Sequence, residues 1–132
     1  MNKDFVPYEV ALALKELGFD EPCFRWYDKN DQEYLNDGYC KNSEKWLNGL
    51  HCSAPTFSQA FRFFREKYNL FGCIDLSAMS PSYWFVRIDR IDTNDYLYHS
   101  IDEDLRFETY EEAELECLIK LIKIVDFKLE KL

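Results

Sequence analysis

The stretch YWFVRIDRIDTNDYLYHSI, Tyr83–Ile101, decides the fold of this chain. Its first half alternates apolar residues with polar or aromatic ones, which predicts a strand over Tyr83–Ile91. The run DTND is typical of a turn, and the alternation resumes over Tyr96–Ile101. We therefore expect an antiparallel hairpin, joined by a strand over Phe71–Leu76 and a short one around Arg106–Phe107.

Two helices are predicted before this hairpin. The first covers Pro7–Leu17, because proline suits a first helical turn and apolar residues follow at helical spacing. Gly18 then stands where a left-handed residue would end the helix. The second helix begins near Ser53 or Thr56, since Thr56 and Gln59 have the spacing of a capping box.

A third helix closes the chain. Thr109 and Glu112 form another capping box, and glutamates precede lysines along the helix, as the helix dipole favours. The apolar residues of Leu115–Val125 span about 220° of the helical wheel, which is wider than the roughly 100° that a single buried stripe requires. We expect burial on two sides and predict a homodimer through this C-terminal helix.

The N-terminal half adds a second hairpin. PCFRWY, Pro22–Tyr27, is followed by turn residues and by Gln32–Leu35, while Asn36–His51 is interpreted as a strand plus a loop. The order α-ββ-α-βββ-α predicts an α+β fold, in which a mainly antiparallel sheet packs with about three helices. No Pro/Gly/Ser-rich linker interrupts residues 1–132, so a single domain is expected.

Composition excludes several classes of protein. Among 132 residues, 47% are hydrophobic and 17% aromatic, which excludes intrinsic disorder. A net charge of −9 argues against direct binding to nucleic acid or to an anionic membrane. The five cysteines lack a disulfide-framework spacing, and the N-terminus shows no signal-peptide run. We expect a reduced, cytoplasmic protein.

The acidic charge is concentrated in one part of the sequence. The whole net charge of −9 falls between Asp89 and Glu116, while the rest of the chain is neutral. We take the following carboxylates as a candidate partner-binding acidic block: Asp89, Asp92, Asp95, Asp102, Glu103 and Asp104. The alternative is a solvated acidic surface. The spacing of a calcium-binding loop is absent, so no cation site is predicted.

Four aromatic residues of the predicted hairpin form a second candidate site. If they share one sheet face, they make an aromatic platform for a protein partner or a flat ligand. The alternative is that the terminal helix covers this face. The residues are Tyr83, Phe85, Tyr96 and Tyr98.

Metal and nucleophilic sites have weaker support. Candidate metal ligands are Cys40, His51 and Cys52. His51 and Cys52 are adjacent, however, and an adjacent pair does not easily place both side chains on one ion. Cys52 or Cys73 could form a nucleophilic pair with His99 only if the fold brings them together. We predict no catalytic residue, no metal and no cofactor.

Three blocks of the sequence resemble a family of small proteins from Bacteroides-type gut bacteria and their phages and prophages. They are FVPYEVALALKELGFDEPCF (residues 5–24), SAPTFSQAFRFFREKYNL (53–70) and FETYEEAELECLIKLIKIV (107–125). The resemblance implies an accessory protein of a phage or mobile element, and it carries over no catalytic residue.

These observations favour a non-enzymatic protein-interaction module, with a protein partner or a second copy of the chain bound. One alternative is a host-defence inhibitor whose acidic block mimics nucleic acid. The other is a protein that binds a small ligand or nucleotide, for which a closed pocket holding Arg87 or Arg90 beside aromatic rings would be the sign.

Overall fold

The computed structural model describes residues 4–28, 33–44, 51–77 and 82–130 of the chain. The helices are α1 (Tyr8–Glu16), α2 (Phe57–Tyr68) and α3 (Tyr110–Glu130). The strands are β1 (Cys23–Tyr27), β2 (Glu33–Cys40), β3 (Cys52–Ala54), β4 (Leu70–Leu76), β5 (Trp84–Arg90) and β6 (Tyr96–His99). A 3-10 helix covers Ser100–Glu103. This order confirms the predicted α+β fold and adds one short strand, β3, to it.

The chain divides into two compact units, Met1–Ala60 and Phe61–Leu132. In the first unit the strands follow the order β2-β1-β3 and all pair antiparallel, which confirms the predicted hairpin of β1 and β2. Helix α1 ends as expected. Gly18 has a φ of 96°, and the N–H of Phe19 donates to the carbonyl of Leu14 at 2.9 Å, so Phe19 folds back into the core.

Strand β2 is longer than the Gln32–Leu35 prediction, because it continues to Cys40, which pairs with Cys23 of β1. The predicted strand plus loop over Asn36–His51 falls partly outside the described residues. Within the described part, the chain returns at β3, which pairs with β1 on the side opposite β2.

The second unit holds an antiparallel sheet of order β4-β5-β6 with α3 packed on one side, which we call the inner face. Helix α3 lies close against Gly72 of β4, because a Cβ atom there would lie 2.7 Å from Cys117 Sγ. The core of the unit includes Val86 and Ile88 of β5 and Leu118 of α3. The other side of the sheet, the outer face, bears the alternate residues of each strand.

Strand β6 ends earlier than the predicted Tyr96–Ile101. His99 Nδ1 accepts the N–H of Ile101 at 3.1 Å, and this contact begins the 3-10 helix. The Ser100 hydroxyl then takes the place of a ladder carbonyl by accepting the N–H of Val86 at 3.0 Å. The short strand predicted around Arg106–Phe107 is present as an isolated antiparallel bridge to Trp84.

Helix α3 begins as predicted, since the N–H of Glu112 donates to Thr109 Oγ1 at 3.1 Å. One chain alone buries much of its apolar arc, namely Ala113, Cys117, Leu118, Leu121, Ile122 and Val125. The arc residues that stay partly exposed are Leu115, Ile119 and Ile124. Among the described residues, none of the helices is both long and apolar enough to cross a membrane.

Candidate functional site

The outer face of the second sheet gathers polar, charged and aromatic side chains from all three strands. Cys73, Arg87 and His99 lie opposite one another across β4, β5 and β6 and form a row through its centre. Asp75 pairs with Phe85 on one side of this row. On the other side, Asp89 lies between Phe71 and Tyr96. We call these eight residues the outer-face cluster.

Arg87 is the centre of the cluster. Its Nε lies 3.0 Å from Asp89 Oδ2, and its Nη1 lies 3.8 Å from Asp75 Oδ2. About two fifths of the Arg87 and Asp75 side chains remain in contact with solvent. Exposed ion pairs of this kind contribute only about 0–1 kcal/mol to stability. The network therefore orients charges on the surface more than it stabilises the fold.

The structure places Cys73 and His99 in one row, although Arg87 stands between them. His99 Nδ1 accepts a backbone N–H, and its Nε2 lies 3.6 Å from Asp75 Oδ2, so neither nitrogen faces the thiol as a free base. Burial is the main cause that raises the pKa of the Cys73 thiol, and the negative charge of Asp75 is the second. A nucleophilic cysteine needs the opposite shift. This geometry does not activate Cys73.

The four rings of the predicted aromatic platform do not share one face. Phe85 lies on the outer face beside His99, with ring centroids 5.8 Å apart, and Tyr96 pairs with Asp89 there. Tyr98 pairs with the buried Ile88 on the inner face, and Lys120 of α3 lies 4.5 Å from its ring centroid. The remaining ring, Tyr83, lies just before β5 and stacks with the guanidinium of Arg106 at 4.5 Å.

A β-bulge explains this separation. Ile88 pairs with Tyr98 while Asp89 pairs with Tyr96, so Leu97 is an extra residue in β6. In a regular strand Tyr96 and Tyr98 would lie on the same face, whereas the extra residue turns them to opposite faces. The sequence alternates normally through this point and gives no signal of the bulge.

The acidic residues of the β5–β6 turn have internal partners. Asp92 is bound by Arg90, with Nη2 to Oδ2 at 3.0 Å, and this hydrogen bond lowers the pKa of the Asp92 carboxyl. Asp95 accepts the hydroxyl of Thr93 at 2.8 Å. These two carboxylates are thus bonded within the turn between β5 and β6.

The acidic residues after β6 are also engaged. Asp102 accepts the phenol hydroxyl of Tyr96, and Glu103 accepts that of Tyr98 at 3.1 Å. Asp104 adopts a left-handed conformation, φ 55°, at the end of the 3-10 helix. The predicted acidic block therefore lies along one hairpin and its 3-10 helix, and five of its six carboxylates, all except that of Asp104, have a partner within this segment.

The cysteines of the first unit are buried thiols. Burial raises the pKa of Cys23 and of Cys52 to about 12 and that of Cys40 to about 11. The His51 ring lies edge-on to Trp26 at 5.9 Å. Within the described ranges, no group of three or more His, Cys, Asp or Glu residues is placed to hold a metal ion.

A cavity of about 140 Å³ lies where β5, β6 and the segment after the 3-10 helix meet α3. Its lining includes Tyr98, Glu103 and Lys120, and neither Arg87 nor Arg90 contributes to it. Ligand pockets usually have about 300–1,000 Å³, so this one is small for a nucleotide.

Comparisons of the chain with protein-family models, with curated proteins and with solved structures found no match.

Most residues of the outer-face cluster are already candidates from the sequence, but their grouping is not predicted. Phe71, Cys73 and Asp75 alternate along the predicted strand Phe71–Leu76 and so share one face. Their meeting with Arg87 and His99 depends on the register between strands, which the sequence does not display.

Proposed function

We propose that this chain is a non-enzymatic protein-interaction module, and that it binds a partner protein with a basic surface through the outer-face cluster. The observation that carries the proposal is an exposed sheet face on which aromatic rings lie beside carboxylates. Tyr96 is 56% exposed and Phe71 39% exposed, and Asp89 lies between them in the sheet. We further propose, from the resemblance of the three sequence blocks, a cytoplasmic accessory protein of a phage or prophage.

The composition of this face supports a protein as partner. Aromatic residues are enriched in protein interfaces, where they bury large area with few rotatable bonds. The surrounding charge is acidic, with a net charge of −9 in the chain. Such a field accelerates association with a basic surface and weakens with added salt.

Internal bonding argues against the nucleic-acid mimic. A mimic needs an array of carboxylates in direct contact with its target, whereas attraction of a basic surface requires only net negative charge. Asp89 and Asp92 are already paired with Arg87 and Arg90 of β5. Asp102 and Glu103 accept phenol hydroxyls. The ligand-binding alternative requires a pocket that holds Arg87 or Arg90. Neither residue lines the cavity of about 140 Å³ or a more open one of about 330 Å³ on α3.

The homodimer through the C-terminal helix stays a prediction. One chain alone already buries Leu118, Leu121 and Ile122 of the apolar arc on which this prediction depends. The apolar side chains of α3 left for such a dimer include Ile119 and Ile124, which are partly exposed, and Phe127, which is 57% exposed.

The test is affinity capture from a host lysate with paired variants. Phe71→Ala and Tyr96→Ala remove exposed rings from the outer face. The control, Tyr39→Ala, removes a ring that is 64% exposed from the first unit. We expect a partner that is retained by the wild type and by Tyr39→Ala, lost with the outer-face variants, and released by salt. A partner that binds all the variants equally would place the interaction elsewhere and contradict the proposal.

A further inference from the structure

Strand β4 has an open edge whose backbone groups can be identified. The N–H of Ile91 donates to the carbonyl of Asn69 at 2.8 Å, and that of Ser77 to the carbonyl of Tyr83 at 2.8 Å. Hydrogen-bonded pairs alternate along an antiparallel ladder, so the odd-numbered residues of β4 bond to β5. The N–H and C=O groups of Gly72 and Ile74 therefore point away from β5.

The opposite strand confirms this alternation. The N–H groups of Trp84, Val86 and Arg90 donate to Phe107, to the Ser100 hydroxyl and to Asp95, all on the β6 side of β5. The backbone groups of β5 that face away from β4 are thus bonded to other parts of the chain. By contrast, β5 is the only strand paired with β4 among the described residues.

The features that usually protect an edge are few in β4. Its register with β5 is unbroken over all of Leu70–Leu76, and the strand contains no proline, no lysine and only one charge, that of Asp75. Its end residue Leu76 is 57% exposed. Long, regular, apolar edges of this kind pair with another strand.

We infer that β4 pairs antiparallel with β4 of a second copy of this chain, with Cys73 on the two-fold axis. The inference goes beyond the proposed binding of a basic partner, because it adds contact with a second copy of the chain at the edge of the same sheet. In this register all residues of β4 are paired, and each edge-facing residue meets another edge-facing residue. Registers shifted by two residues leave two residues at one end of each β4 strand unpaired.

The side chains of β4 are complementary to themselves in this register. On the inner face Gly72 would lie opposite Ile74 of the second copy, a small residue against a large one, and Leu70 opposite Leu76. On the outer face Phe71 would lie opposite Asp75. No pair places like charges opposite each other, which would be unfavourable.

Cys73 makes the register measurable. Residues opposite each other in a non-hydrogen-bonded antiparallel pair have Cα atoms about 4.5 Å apart, which is within disulfide range. Cys73 is half-buried, whereas the other four cysteines are buried. Mild oxidation by an added oxidant, which takes two electrons as the two thiols lose their protons, should therefore join two chains at this residue.

The experiment combines sedimentation equilibrium with cysteine crosslinking of the full chain. Ile74→Pro removes an edge N–H that β5 does not use, and Ile74→Val keeps it. We expect a wild-type dimer, a dissociation constant raised at least about tenfold by Ile74→Pro, and a change within about twofold for Ile74→Val. Leu76→Lys, at an exposed position, should also weaken the dimer and keeps the test valid if Ile74→Pro unfolds.

A Cys73–Cys73 crosslinked peptide, identified by mass spectrometry at concentrations where the dimer forms, would support the stated register. A monomer at all concentrations overturns the inference. So does a dimer that resists Ile74→Pro and Leu76→Lys but is broken by Ile124→Lys, since that result assigns the contact to α3.

Salt separates the inference from the proposed function, because added salt should strengthen contact between two acidic chains and weaken binding to a basic partner. If the wild-type chain forms no dimer but still captures a partner in a salt-sensitive way, the inference is overturned and the proposed function is not.

Discussion

Replacement of Gly72 by alanine tests the packing that positions the second sheet. A Cβ atom at Gly72 would lie 2.7 Å from Cys117 Sγ, 3.0 Å from Leu121 Cδ1 and 3.1 Å from Phe61 Cε1. Carbon atoms in good contact are about 3.5–4.0 Å apart, so the new methyl group overlaps all of them. Overpacking of this kind costs about 1–3 kcal/mol.

Part of this cost is offset, because alanine restricts the unfolded chain by about 0.4–1 kcal/mol relative to glycine. We therefore expect Gly72→Ala to lower the free energy of unfolding by about 1–2 kcal/mol. Urea denaturation followed by circular dichroism measures the change.

A double-mutant cycle assigns this cost to the contact with α3. Because Cys117→Ala removes the atom nearest the new methyl group, Gly72→Ala should cost at least about 1 kcal/mol less in that background. Gly18→Ala is the control. At its φ of 96° alanine is strained by backbone geometry alone, so its cost should be the same in both backgrounds. A neutral Gly72→Ala, or a cost that Cys117→Ala leaves unchanged, would refute the close approach of α3 to β4.

Three further predictions concern titration, capping and thiol reactivity. The hydrogen bond to Asp102 raises the pKa of Tyr96 from 10 to about 12, so its contribution to stability is present below pH 10 and is lost as the pH rises towards 12. Denaturation at several alkaline pH values should show a shallower loss for Tyr96→Phe, and equal slopes would contradict this assignment. Thr109→Ala should lower the free energy of unfolding by about 1 kcal/mol through loss of the α3 cap, while Thr109→Ser should not, as thermal unfolding can measure. A thiol reagent should modify Cys73 first, because burial raises the pKa of all five thiols but only Cys73 is half-buried and the other four are buried. Earlier modification of any of those four, located by mass spectrometry, would be inconsistent with the structure.

Local signals in the sequence predict most of the elements. The capping boxes at Thr56 and Thr109 and the glycine at Gly18 each correspond to a hydrogen bond or a backbone angle in the structure. Alternation predicts β5 and the pairing of β5 with β6. These features depend on residues within a few positions of each other, so the sequence displays them directly.

The candidate site depends on longer-range features. The row of Cys73, Arg87 and His99 requires the register of three strands, and β3 is recognisable only by its pairing with β1. Tyr96 and Tyr98 lie on opposite faces of the sheet because one bulged residue shifts the register of β6. This bulge depends on strand pairing, and the local sequence pattern does not indicate it.

The most direct test of the central claim, that the second sheet is the binding surface, is residue-resolved chemical-shift mapping by NMR. The labelled chain would be measured on dilution and then on addition of the captured partner. We expect the largest changes on dilution at Gly72 and Ile74, and those on partner addition at outer-face residues such as Phe71, Asp89 and Tyr96. Changes centred on α3 or on the first unit, with β4 and the outer face unaffected, would contradict the account.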